Sequence, residues 1–97
     1  MALFIISLRY IAPVEQVDAL LDEHVAWLRT HHAAGRFVAW GRKVPREGGI
    51  ILARGDSREA MAALAATDPF VAGVVAEVEV IEWEPGFLDD SVAGLAG

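Results

Sequence analysis

The sequence predicts an α+β domain with the element order β-α-β-β-α-β. Three observations carry that prediction. Two dense runs of large and β-branched residues, LFIISLRY at Leu3–Tyr10 and VAEVEVIEW at Val75–Trp83, stand toward the two ends of the chain. Two shorter runs, FVAWG and IILAR, flank the Pro- and Gly-containing stretch RKVPREGG. Segments with helical spacing of apolar residues separate these runs from one another.

Each element follows from local chemistry. Leu3–Tyr10 is the first strand. Pro13 then opens a helix, at a position where its missing N–H costs nothing. That helix runs to about Ala34, and Gly35 terminates it. Phe37–Gly41 is the second strand, RKVPREGG a hairpin connection, and Ile50–Arg54 the third strand. Asp56 or Ser57 caps a second helix that ends near Thr67. Asp68 and Pro69 suit the cap and first position of one further helical turn. Val75–Trp83 is the fourth strand, stopped by Pro85-Gly86. Its glutamates change phase from Glu77 and Glu79 to Glu82 and Glu84. This predicts a bulge near Ile81 and a charged edge that resists open-ended pairing.

The 97 residues make one domain, 1–97, with a core at about 3–85 and a tail, 86–97, that is flexible in composition. Right-handed crossovers turn this order into a ferredoxin-like sandwich. Its antiparallel sheet has the order 4-1-3-2 and carries both helices on one face. The first strand is apolar on both phases, and the hydrophobic content of 55% is high. A second subunit covering the open sheet face, giving a homodimer, is therefore expected.

Composition narrows the function classes. A net charge of −6 argues against nucleic-acid binding. No apolar run approaches the ~18 residues of a membrane span. MALFIISLRYIAP lacks a basic start and is interrupted by Arg9, so it reads as a strand, and a cytoplasmic location is expected. There are no cysteines, which removes thiolate chemistry and disulfides. Neither GxGxxG nor GxxxxGK[ST] occurs, so no cofactor is expected. No metal is expected either. His31 and His32 diverge by about 100° on a helix, and His24 stands two turns away.

His24 raises the functional question. With Val17 at zero on a helical wheel, Leu20, Leu21, His24, Leu28 and His31 fall within about 60°, with His32 at the margin. An imidazole in that buried stripe needs a partner, or it destabilises the fold by ~1–3 kcal/mol. One reading is a core histidine satisfied by a backbone carbonyl. The other is a general acid or base at the floor of a pocket, where an imidazole titrating near neutrality is suited to proton transfer. Asp68 bears on both. One carboxylate oxygen can cap the turn at Pro69 while the other holds an imidazole N–H.

These residues resemble a known family. EHVAWLRTHHAAGRFVAWG (Glu23–Gly41), an acidic-capped second helix and TDPFVAGVVAEVEVIEW (Thr67–Trp83) are similar to the YCII-related family of small bacterial proteins. The resemblance covers about Leu3–Pro85. It implies a ferredoxin-like fold that dimerises into an α+β barrel. It also implies an active-site pair, which falls here on His24 and Asp68. This chain has Gly41-Arg42 where many members have Gly-Pro, and its hairpin is short. Some relatives eliminate chloride from breakdown products of chlorinated aromatics, and muconolactone isomerases share the barrel.

Four further residues are candidates for substrate contact. Phe70, beside Asp68, is placed on a pocket wall. Arg42, in a basic cluster with Lys43 and Arg46, and Arg9, ending the first strand, are candidates for attracting an anionic substrate, the alternative and favoured reading of the cluster being a solvated hairpin tip. Ser7 is the serine of the first strand and lacks the surroundings of a nucleophile elbow. Trp27, Trp40 and Trp83 read as core or interface. The leading expectation is a cofactor-free lyase or isomerase that uses His24 and Asp68 on a small organic acid. The alternative is a non-catalytic ligand-binding or accessory dimer in which the pair is a structural link.

Overall fold

The computed structural model describes residues 1–96; Gly97, the last residue of the expected tail, lies outside the described residues. The elements are β1 (Ala2–Tyr10), α1 (Val14–Ala19), α2 (Leu21–Ala33), β2 (Phe37–Arg42), β3 (Gly48–Gly55), α3 (Arg58–Ala65), α4 (Pro69–Ala72) and β4 (Ala76–Trp83). The strands form one antiparallel sheet in the order β2-β3-β1-β4, and the helices pack on one face, a ferredoxin-like α+β arrangement.

The core lies between that face and the helices. Phe4, Ile6 and Leu8 of β1 alternate inward and meet Val17, Leu28, Met61, Ala65 and Phe70 from the helical layer. Their flanking residues Ile5, Ser7 and Arg9 point to the open face. There the row Ala39–Leu52–Ile5–Ile81 runs across all four strands. It is an apolar stripe with Ile81 39% exposed. Charge takes over farther along β1, where Arg9 pairs with Glu77.

The single long helix expected from Pro13 to Ala34 is two helices. The break falls at Leu20 (φ −106°, ψ 3°), whose N–H bonds to Val17 O in a tighter turn. No Gly or Pro marks it in the sequence. Leu20 fills the space beside Gly73, where a Cβ would come within 2.5 Å of Leu20 Cδ1. Farther on, Gly35 (φ 82°) ends α2 as expected. Its N–H bonds to His32 O and that of Arg36 to His31 O, satisfying two carbonyls of the last turn.

The bulge expected near Ile81 is absent. β1 and β4 pair without a shift from Leu3↔Trp83 to Tyr10↔Ala76, and the irregularity lies in β2 between Phe37 and Ala39. The change of phase among the glutamates reflects which positions the helices cover, since Val78 and Val80 pack on the core. Of the two capping candidates, Ser57 is the one used: its Oγ accepts from Ala60 N at 3.0 Å. Asp89 accepts from Ser91 N and Oγ and starts a 3-10 helix over Asp90–Ala96, and Arg54 Nη1 donates to Gly94 O at 3.0 Å. No described helix is long and apolar enough to cross a membrane.

Candidate active site

α2 presents His24 to the sheet, and the turn between α3 and α4 presents Asp68 to α2. His24 Nδ1 lies 2.7 Å from Asp68 Oδ1. The His24 side chain is 11% exposed and that of Asp68 1%. Asp68 Oδ1 also accepts from Phe70 N at 2.9 Å, so one oxygen both caps α4 and holds the imidazole. That differs from the sequence expectation of one oxygen for each task. Facing a carboxylate oxygen, Nδ1 is assigned the hydrogen, which leaves Nε2 with its lone pair. Nε2 makes no hydrogen bond to the described residues and is not among their sealed, unpartnered atoms. Asp68 Oδ2, by contrast, is buried without a partner among the described residues.

The surroundings fix the imidazole on both sides. Phe70 stacks on it at 3.9 Å between ring centres with planes 11° apart, and Trp27 lies 6.1 Å away. Trp27 Nε1 donates to Thr67 Oγ1 at 2.9 Å, and Thr67 Oγ1 donates to Leu64 O. α2 is thus tied to the α3–α4 turn at two adjacent points.

A cavity of about 200 Å³ opens beside His24. Tyr10, Trp40 and Phe70 form aromatic walls, Leu28 closes the apolar side, and Arg42 stands on the rim. This volume is below the roughly 300–1,000 Å³ of pockets for drug-sized ligands, so the space suits a small molecule. Arg46 guards one flank: it pairs with Asp18 at 2.6 Å and lies 5.7 Å over the Tyr10 ring. The hydrogen bond from Arg46 holds the Asp18 carboxyl below its ordinary range, and the same bond raises Arg46. A larger depression of about 830 Å³ lies elsewhere, between Met1–Leu3, Arg58 and Trp83–Pro85. It holds Glu82, Glu84 and Arg58 but no acid–base pair, so the chemistry argues for the smaller space.

The six sequence candidates divide. His24, Asp68, Phe70 and Arg42 converge on one site. Ser7 and Arg9 stand on the open face, in a depression with Lys43, Glu77 and Glu79. This corrects their expected place near the pocket, and strand alternation is the reason, because Leu8 and Tyr10 take the cavity side. No sequence signal marks Tyr10 as a cavity residue, although it shares the phase of Leu8, and the pattern around Trp40 reads as core or interface. Trp40 was harder to find, because the β2 bulge breaks the period between it and Phe37.

The YCII-related domain profile matches residues 2–84. The chain belongs to the YCII-related family. No functionally curated protein matches it. Among solved structures, it is similar to 5-chloro-2-hydroxyhydroquinone dehydrochlorinase from Burkholderia phenoliruptrix AC1100, in a complex with 2,5-dihydroxybenzoquinone. The two share 19% identity over 87% of this chain and 95% of the other, with a TM-score of 0.73. At that identity the likeness establishes the ferredoxin-like fold of this YCII-related chain, and the fold alone.

Proposed function

We propose that this YCII-related protein is a cofactor-free lyase or isomerase for a small organic acid, with His24 as the proton-transfer residue. The observation that carries the reading is the 2.7 Å contact from His24 Nδ1 to buried Asp68 at the wall of a small aromatic cavity. Nε2 takes a proton from a carbon next to a carbonyl. The C–H electron pair forms a double bond to the carbonyl carbon as the carbonyl π pair moves to oxygen, giving an enolate. The oxygen pair then re-forms the carbonyl while the enolate carbon–carbon pair makes a double bond to the β-carbon and expels its leaving group with the bonding pair, or the proton returns at another carbon. Asp68 orients the ring and stabilises the imidazolium. Phe70 is a wall of the site, and Arg42 attracts the anion. The compound named for the structural neighbour, 5-chloro-2-hydroxyhydroquinone, is one substrate to try, its phenolate serving as the anion and its keto tautomer offering a C–H next to a carbonyl.

The homodimer belongs to the same reading. Its support is the apolar row Ala39–Leu52–Ile5–Ile81 on the open face. Sedimentation at micromolar concentration is expected to give a dimer, and a monomer there counts against it. A second reading has its own observation: the shared Oδ1 ties α2 to α4, as a purely structural link in a ligand-binding or accessory dimer would.

Paired measurements on His24→Gln separate the two readings. With a turned-over substrate, the catalytic reading expects a rate loss of about 10²–10⁴ with little loss of stability. Undiminished turnover, or a drop of several kcal/mol with no turnover in the parent protein, favours the structural link.

A further inference from the structure

The cavity beside His24 has a specific origin in the sheet. Helix-facing residues line up across the strands in rows. The row Ile6–Ile51–Trp40 is filled by three side chains. The next row is Leu8–Gly49–Arg42, and its central member has no side chain. A Cβ built on Gly49 would meet only Gly41 O, at 3.1 Å, and nothing else within 4 Å. The hole therefore exists because β3 carries glycine at this point, directly below α2. Arg42, at one end of the row, forms no ion pair with the described residues, while Arg46 and Arg9 both do.

We propose that Gly49 determines the specificity of this cavity. It admits a flat, single-ring carboxylate that lies on the bare backbone of β3, with its anion at Arg42 and its ring between the walls of Tyr10, Trp40 and Phe70. This rests on the reading that the cavity binds a small organic acid, and it adds which residue sets the size and shape of that acid. Aromatic walls favour a π-face, and an arginine fork matches a carboxylate. A side chain at Gly49 excludes the ring but leaves Arg42 free to hold a shorter acid.

The test uses the full chain and two probes, benzoate and propionate, followed by NMR titration. The parent protein is expected to show intermolecular NOEs from the benzoate ring protons to the Gly49 Hα protons. Gly49→Val is expected to weaken benzoate by about tenfold or more and to leave propionate unchanged. Arg42→Gln is expected to weaken both. Benzoate binding to folded Gly49→Val as in the parent overturns the proposal, and so does equal loss of the two anions. Should Gly49→Val fail to fold, Gly49→Ala and the NOEs in the parent decide, and absent NOEs with bound benzoate overturn it. If the parent binds neither anion, the organic-acid reading itself fails with it. Binding of both without sensitivity to Gly49 sinks the specificity claim alone.

Discussion

Asp68 Oδ1 stands between two donors, 2.7 Å from His24 Nδ1 and 2.9 Å from Phe70 N. One atom therefore orients the imidazole and starts α4. Replacing Asp68 with Ala removes both bonds and strands a buried imidazole. Cap loss and an unpaired buried group together predict a cost of about 2–4 kcal/mol. Asp68→Asn keeps an oxygen for Phe70 N, so it is expected to cost less, about 1–2 kcal/mol. Urea unfolding midpoints of the two variants test the order. An Asn variant as damaged as the Ala variant contradicts the capping role.

Gly73 and Val74 show glycine placed one residue earlier than helix termination asks. α4 ends with Val75 N bonded to Phe70 O and Val74 N to Val71 O, a pattern that puts Val74 in the left-handed region at φ 59°. A β-branched residue is strained there. Gly73 is fixed for another purpose, the seat of Leu20. Val74 is 70% exposed, so Val74→Gly releases strain at little loss of packing and is expected to add about 1 kcal/mol. Gly73→Ala sets a methyl against Leu20 and Pro69 O and is expected to lower stability by about 1–3 kcal/mol. Thermal melts of the pair read opposite signs.

What the sequence made legible was whatever depends on local chemistry or simple period. The strands, the cap at Asp68 and the stop at Gly35 follow from such signals, and the strand order from crossover handedness; the pairing of His24 with Asp68 rests on the resemblance to the YCII-related family. Features fixed by contacts between distant segments were hidden. Leu20 looks like any helical leucine until Gly73 is placed beside it. The gap at Gly49 appears only when three strands are set in register. Alternation already separated Ser7 and Arg9 from Leu8 and Tyr10. What it lacked was the knowledge of which face carries the cavity.

His31 gives a pH prediction. Its imidazole is pushed below the ordinary histidine value of 6.5, first by burial against Trp27 and Phe37 and then by the Arg36 charge. The folded state therefore binds this proton less readily than the unfolded chain. The contribution to stability is complete above 6.5 and is lost as pH falls through the lower, folded value. Stability of the parent is expected to decline as pH falls below 6.5. His31→Gln is expected to decline less over the same interval. Parallel curves for the two proteins in urea titrations would sink the assignment.

Trp27 and His24 sit one turn apart on α2 and reach neighbouring residues of the α3–α4 turn, Thr67 and Asp68. If the two bonds hold the same joint, loss of one loosens the geometry of the other. Trp27→Phe removes the 2.9 Å bond to Thr67 and keeps most of the ring, so it is expected to cost about 1 kcal/mol. Residues that share a joint are not additive. The double variant with Asp68→Asn is therefore expected to depart from the sum of the singles by about 0.5 kcal/mol or more. A double-mutant cycle in urea measures that term. A coupling within error of zero means the bonds act independently, and His24 is then held by Asp68 and the Phe70 stack without help from Trp27.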